Sequence, residues 1–527
     1  MCRIVLTPAI ALVVNLGKVK FLGLDIGTGG SRAVIIGEDG EVLSSSIVEH
    51  VVFASPHIGW AEQSPEDWWR ASCEAIRGAL KSSGIDGSEI GAVSFSGQMH
   101  GSVLLDENDQ VLRPALLWCD QRTTDEVAEI TETIGATHLI ELVSNPAVTG
   151  FTLPKLLWVR QHEPQIWERV RSVLLPKDYI RLKLTGDKAS DVADSSGTLL
   201  FDVRARKWSA EMLERFQIDE SLLPTVVEST EVTGTVSKNG SDATGLKEGT
   251  PVVAGAGDNA AGAIGAGIVK PGSVGVTIGT SGVVFIVTDQ PKLDLKGRVH
   301  SLCHAVPGRW HMTGVTLAAG QSLKWFRENL GHGASYDELT KEAEAVASGS
   351  DGAVWLPYLM GERTPHLDPN ARAAFVGLTA SHTRGHLTRA IMEGVAFSLR
   401  EAIDIFRELG ASINEIRLGG GGAKSQLWRQ IQADVYGQTV STIKADEGAA
   451  FGAAILAGVS IGAWTTVDEA CAATIKIDKH IEPDTASQEA LEKNYTAYKL
   501  LHAALKPALN AIRGIDHEQQ LRTKTGA

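Results

Sequence analysis

The chain has 527 residues, 43% hydrophobic and 21% charged, which is the composition of an ordinary water-soluble globular protein and long enough for two large domains or three small ones. Its 63 acidic against 49 basic side chains leave a formal charge of -14, which disfavours nucleic acid and anionic membrane as partners. Five scattered cysteines without a CxxC pair argue against a disulfide framework or a zinc centre and for a reducing compartment.

Residues 1–19 read as an N-terminal extension. Arg3 precedes an apolar stretch from Ile4 to Leu16 that is too short to span a bilayer and lacks a small-x-small cleavage site. A dispensable extension is the expectation, with an organellar location left open by it. Phe21 to Ile36, FLGLDIGTGGSRAVII, is a β-branched strand, a Gly27-Thr28 turn and a second strand. A helix is predicted over 65–80, with Ser64 as N-cap, Pro65 at the first helical position and Trp68, Trp69, Cys73, Ile76 and Leu80 inward. In GAGDNAAG, Asp258 follows an apolar run directly, so it faces a cleft, caps a helix starting at Asn259 or Ala260, or does both.

Lys270-Pro271-Gly272 is a natural joint, and after it Val274 to Val287, VGVTIGTSGVVFIV, echoes the first hairpin about half a chain later. A duplicated α/β domain is the economical reading. Leu387, Ile391, Val395, Leu399, Ala402, Phe406 and Leu409 fall on one helical stripe and predict a long core helix. LGGGGAKS, residues 418–425, lies between a strand and a helix over 427–435, where backbone without side chains can admit a flat ring. Domains are placed at 20–268 and 269–505, with a polar, loosely held tail over 506–527.

The common nucleotide signatures are absent: there is no GxxxxGK[ST], no GxGxxG after a strand, and no DFG or HRD. The two Gly-Thr hairpins offer another way to hold phosphate oxygens, through backbone N–H groups converging in a turn.

The two hairpins, GDN and LGGGGAKS, in this order, resemble the FGGY carbohydrate kinases. GFTLPKLLWVRQH, with Lys155 and Trp158, and AAFVGLTASHTRGHLTRAIME, with Gly377, Leu378 and Glu393, match the patterns by which that family is recognised. Within it, SGQMHG, LRPALLWCDQR with Trp118, Asp120 and Arg122, LLPKDYIRLKLTG with Asp178, and GERTPH with Glu362 and Arg363 look like the branch that phosphorylates xylulose.

The resemblance implies two actin-like (ribonuclease H-like) ATPase domains flanking a hinged cleft, the sugar on the first and ATP on the second. It implies that Thr28, Gly29, Gly279, Thr280, Ser281, Gly420, Gly421, Gly422 and Ala423 hold ATP, and that Gln98, Met99, His100, Gly101, Asp258 and Asn259 hold the sugar. Asp258 is then the catalytic base, for which an ordinary carboxylate pKa suffices, and Asp25 the Mg2+ ligand. Lys155 and Arg363 acquire no role, and Trp60 either borders the sugar or fills the core. The expected partners are a small sugar, ATP and Mg2+ in the cytoplasm, with a homodimer as one assembly. The rival readings are a kinase of another ketose or polyol, and an actin-like ATPase with no sugar acceptor.

Overall fold

The computed structural model describes residues 19–525 apart from 445–447, with side chains followed to residue 512. The expected extension, but for residue 19, thus lies outside the described residues. Two seven-stranded sheets carry the fold. In the first, Lys20–Ile26 pairs antiparallel with Gly30–Ile36, which pairs antiparallel with Val42–Glu49. On its other side Lys20–Ile26 runs parallel to Ile90–Gly97, followed by Pro251–Val253, parallel, and Val232–Thr235, antiparallel.

The second sheet repeats this order. Ser273–Ile278 pairs antiparallel with Gly282–Thr288, which pairs antiparallel with Trp310–Thr316. Beyond Ser273–Ile278 lie Glu415–Gly420 and Val440–Ile443, both parallel, then Ile477–Ile481, antiparallel. Phe21, Leu22, Leu24 and Ile26 are all fully buried, because a central strand is covered on both faces. Val42–Glu49 shows the polar alternation of an edge.

Helix Pro65–Ser83 covers one face of the first sheet with Trp68, Ala75, Ile76 and Ala79. Ser64 takes the N-cap conformation, but its hydroxyl donates to Glu66 Oε2 at 2.8 Å instead of capping. The long helix Arg384–Glu408 buries Ile391, Val395, Leu399, Ala402 and Phe406 under the second sheet, as its stripe predicted. No described helix is long and apolar enough to cross a membrane.

The division at 268/269 falls between the two sheets, and a helix from each side of it packs across to the other. Helix Asp258–Gly265 follows the outer parallel strand of the first sheet, yet Ala263, with Ile268, packs on Phe285 and Val287 of the second half. Helix Gly448–Ser460 follows the matching strand of the second sheet, yet its Phe451, Ala454 and Ile455 pack on Phe21, Val34 and Ala92 of the first. The two helices cross with almost no side chain between them: a Cβ on Gly452 would lie 1.9 Å from Ala261 O, and one on Gly265 2.3 Å from Gly448 O. Helix Thr485–Thr525 runs through position 505/506. Leu501 and Leu505 pack on the second core and Lys506 pairs with Asp368 at 3.0 Å, which holds the start of the expected tail.

Gly452→Val is expected to cost about 1–3 kcal/mol or more by overpacking, and so to lower the thermal unfolding midpoint. Calorimetry of the variant checks this; an unchanged midpoint would mean the helices have room to separate.

Candidate active site

The turn Gly279-Thr280-Ser281 closes on itself through Gly279 N–H donating to Ser281 O at 2.9 Å. Its carbonyls are engaged from outside: Gly279 O accepts from Gly320 N–H at 2.8 Å and Thr280 O from Gln321 N–H at 3.1 Å, which docks the turn on the start of helix Gly320–Asn329. The glycine run is divided by the fold. Gly419 and Gly420 end the strand, Gly421–Ala423 form a short 3-10 turn, and Ser425 caps helix Gln426–Tyr436 by accepting from Trp428 N–H at 3.3 Å. Gly420 has φ 72°, and a Cβ there would lie 2.6 Å from Ile278 O, so only glycine fits.

Between these segments is a cavity of 640 Å³ lined in part by Gly279, Thr280, Gly421, Gly422, Tyr336 and Lys424. That volume suits a nucleotide-sized ligand. Tyr336 and Lys424 were not singled out in the sequence, where each is one more ordinary surface-type residue. Ser281, Gly420 and Ala423 flank the cavity wall without lining it.

The first hairpin turn is different. Gly27 N–H donates to Gly30 O at 3.0 Å, and Gly29 is exposed at the tip. Thr28 Oγ1 donates to Gln98 Oε1 at 3.1 Å and accepts from Trp118 Nε1 at 3.0 Å. Thr28, assigned from sequence to the nucleotide, therefore has its side chain tied to Gln98, assigned to the acceptor, and to Trp118.

Gln98, Met99, His100 and Gly101 leave the carboxyl end of strand Ile90–Gly97, and Gln98 N–H extends its pairing to Ile26 O at 2.9 Å. Met99 is buried against Gly257, and its Sδ accepts from Asn259 Nδ2 at 3.6 Å. Gly101 is held against Pro176, where a Cβ would meet the ring at 2.7 Å. The His100 ring stacks on Phe151 at 4.5 Å, with Nδ1 2.8 Å from Gly197 O. A carbonyl only accepts, so the proton sits on Nδ1 and Nε2 presents a lone pair. Burial, helped by Lys155, pulls the imidazole down to about 3, so the ring is a neutral acceptor at physiological pH.

Asp258 is the first residue of helix Asp258–Gly265, with Gly257 in the cap position, so the capping alternative does not hold. Its side chain borders a 260 Å³ cavity shared with Thr277, Phe285 and Arg417 of the second half. Burial and then the neighbouring Asp25 push its carboxyl up to about 7, well above the ordinary value that sequence reasoning took as adequate. Asp25 is itself raised by burial, while Ser96 Oγ donates to its Oδ1 at 2.8 Å. Two carboxylates thus meet in a low-dielectric cleft.

GERTPH belongs to the second half and reaches the same cleft. Glu362 accepts from Thr316 Oγ1 at 2.5 Å, Leu317 N–H at 3.1 Å and Arg363 N–H at 2.7 Å, and burial raises it to about 7. The Arg363 guanidinium then stands close enough to depress both His300 and His100. Trp60 resolves toward packing: Arg122 lies 3.6 Å above its ring and Trp158 5.3 Å away. Asp178 belongs to a fully buried ion network that no spacing in the sequence indicated, with Lys177 Nζ 2.6 Å from Asp178 and 2.7 Å from Asp191.

Asp258 also makes stability depend on pH. Its folded pKa of about 7 exceeds the ordinary 3.8, so the folded state binds the proton more tightly and loses stability as pH rises from about 4 to about 7. Asp258→Asn, which cannot ionise, should unfold at a higher temperature than the native chain at pH 8, and at nearly the same temperature near pH 4. Thermal scans at both values check the difference; equal midpoints at pH 8 would mean the carboxylate is not strained.

Residues 20–265 match the N-terminal domain, and residues 274–461 the C-terminal domain, of the FGGY family of carbohydrate kinases. The chain is 37% identical over 492 residues to the xylulose kinase of Bacillus subtilis, covering 93% of this chain and 98% of that protein. It is likewise 37% identical over 490 residues to the xylulose kinase of Escherichia coli, covering 93% and 100%. Among solved structures, the xylulose kinase from Rhodospirillum rubrum superposes with a TM-score of 0.88 at 30% identity, over 93% of this chain and all of that one. With both family domains matched in order on two sheets of the same topology, the chain belongs to the FGGY family of carbohydrate kinases.

Proposed function

We propose that the chain transfers the γ-phosphoryl group of ATP to the C5 hydroxyl of D-xylulose, giving D-xylulose 5-phosphate and ADP. The observation that carries this is the convergence at one cleft of Asp258, raised to about 7, with the neutral acceptor edge of His100 and the apolar Met99. Such a set suits a polyol with one carbon face and several hydroxyls. The relatives that match nearly the whole chain carry the name xylulose kinase. A mechanical ATPase has no use for an acceptor pocket, and the QMHG loop with its stacked, oriented imidazole favours the kinase over that reading.

In the reaction the sugar oxygen bonds to the γ-phosphorus, the bond to the β–γ bridging oxygen breaks, and the hydroxyl proton passes to Asp258. A base near pKa 7 is partly ionised at neutral pH and can take the hydroxyl proton and return it to solvent. The transition state is loose, so orientation of the hydroxyl matters more than the strength of the base. Gly279, Thr280, Gly421 and Gly422 hold the nucleotide in the 640 Å³ cavity. Asp25 fits Mg2+: it is a partly buried carboxylate with Oδ1 taken by Ser96 and a second carboxylate near it, and magnesium prefers one or two such oxygens with water and phosphate. When bound, the ion neutralises phosphate charge. The enzyme is cytoplasmic in this reading, with its four described cysteines as free thiols, and monomeric or homodimeric.

ADP release with Mg-ATP should be fastest with D-xylulose among D-xylulose, D-ribulose, L-ribulose, D-fructose and glycerol. Wrong isomers leave buried polar groups unpaired, at a cost of about 1–3 kcal/mol each. A tenfold higher kcat/KM for another acceptor would remove xylulose and keep the kinase, whereas release indifferent to every acceptor would remove both. Asp258→Asn should lower kcat by roughly 10²-fold or more while leaving ATP binding near normal. Asp25→Ala should shift the Mg2+ titration of the rate to higher concentration, and an unshifted curve removes Asp25 as the ligand.

A further inference from the structure

His100 is held in a conformation that its side chain does not favour. Its φ of 69° lies in the left-handed region, where a histidine pays a steric cost that glycine avoids. The surroundings impose it. The His100 carbonyl accepts from Lys155 Nζ at 2.9 Å and from Thr152 Oγ1 at 3.2 Å, both on helix Thr152–His162. The ring is fixed from the other side by Gly197 O and by Phe151.

Lys155 is unusual in its own right. Its side chain is completely buried. No carboxylate pairs with it at ion-pair distance among the described residues. Its two hydrogen bonds go to carbonyls, His100 O and, at 2.7 Å, Gly150 O. Packing alone would be served better by an apolar residue of the same length, since burying an unpaired cation is expensive. Burial lowers its ammonium to about 7, against the opposing pull of Asp120 and Cys119 and with Arg122 adding to the lowering. Either protonation state keeps at least two N–H groups, enough for both carbonyls.

We infer that Lys155 is a positioning residue for the sugar: by gripping the His100 carbonyl it locks the left-handed backbone that presents imidazole Nε2 to the acceptor. The inference rests on the proposed role of His100 in acceptor binding. Lys155 itself touches neither sugar nor nucleotide, so its effect on the acceptor runs through His100.

A double-mutant cycle on the full-length chain separates this from a purely structural role. Lys155→Met should raise KM for D-xylulose by roughly tenfold or more, with a much smaller change in KM for ATP. His100→Ala should raise the sugar KM comparably, and adding Lys155→Met to it should change KM by no more than about twofold, because the group being positioned is already gone. Losses that multiply in the double variant, or a Lys155→Met sugar KM equal to that of the native chain, overturn the inference. If Lys155→Met does not yield folded protein, Thr152→Val removes the second donor to the same carbonyl. It should give a smaller rise in sugar KM that vanishes in the His100→Ala background, and a rise persisting there likewise overturns it. An unchanged sugar KM in His100→Ala by itself would instead strike the acceptor role of His100.

Discussion

The close crossing of helices Asp258–Gly265 and Gly448–Ser460 is the contact on which the rest of the structure depends. Gly265 and Gly452 bring backbone to backbone, and a side chain at either would overlap the partner helix. Gly23 serves the same end on the central strand of the first sheet, where a Cβ would lie 1.9 Å from Ala450 O. Each helix leaves the outer parallel strand of one sheet and packs on the other half, so the two halves share this crossing instead of merely abutting. Asp258 opens one of these helices, and its position between the sheets is a consequence of the crossing.

The electrostatics of the cleft follow from that placement. Asp25 ends the central strand of the first sheet and Asp258 begins the crossing helix, which brings two carboxyl groups into surroundings where burial disfavours the charge of both. Asp25 raises the cost of ionising Asp258, so the arrangement gains from a divalent cation or from a proton. The second half contributes the positive charge of Arg363 near His100 and His300, carried on a loop anchored by Glu362 to Thr316 and Leu317.

Beneath the acceptor side, polar groups are buried in unusual number. Lys177 sits among Asp178, Asp191 and Asp194 under Gly97, while Arg181 donates to the carbonyls of Val253 and Ala254. The Arg181 contacts fix the end of strand Pro251–Val253 by hydrogen bonds in place of hydrophobic packing. Directional bonds hold a loop in one register where apolar contacts would allow several. Lys155 and its grip on the His100 carbonyl follow the same logic at shorter range.

The hairpins, the glycine run and the long amphipathic helix were legible in the sequence, because each is written in local terms: β-branched runs around Gly-Thr turns, and an apolar stripe at helical spacing. Their order along the chain was enough for the family resemblance, and with it the fold class and Asp258 as the residue of interest. The sequence did not carry the spatial division of the halves, since packing of Ala454 on Phe21 depends on a crossing formed by residues almost two hundred positions apart. Nor did it carry the raised pKa of Asp258, which arises from Asp25 and from burial completed by the second half. Thr28 was read as a phosphate-turn residue from its neighbours in sequence, and only folding brought Gln98 and Trp118 onto its hydroxyl. Local chemistry is set by the residues next to one another in the chain, whereas dielectric, charge pairing and hydrogen-bond partners are set by those next to one another in space.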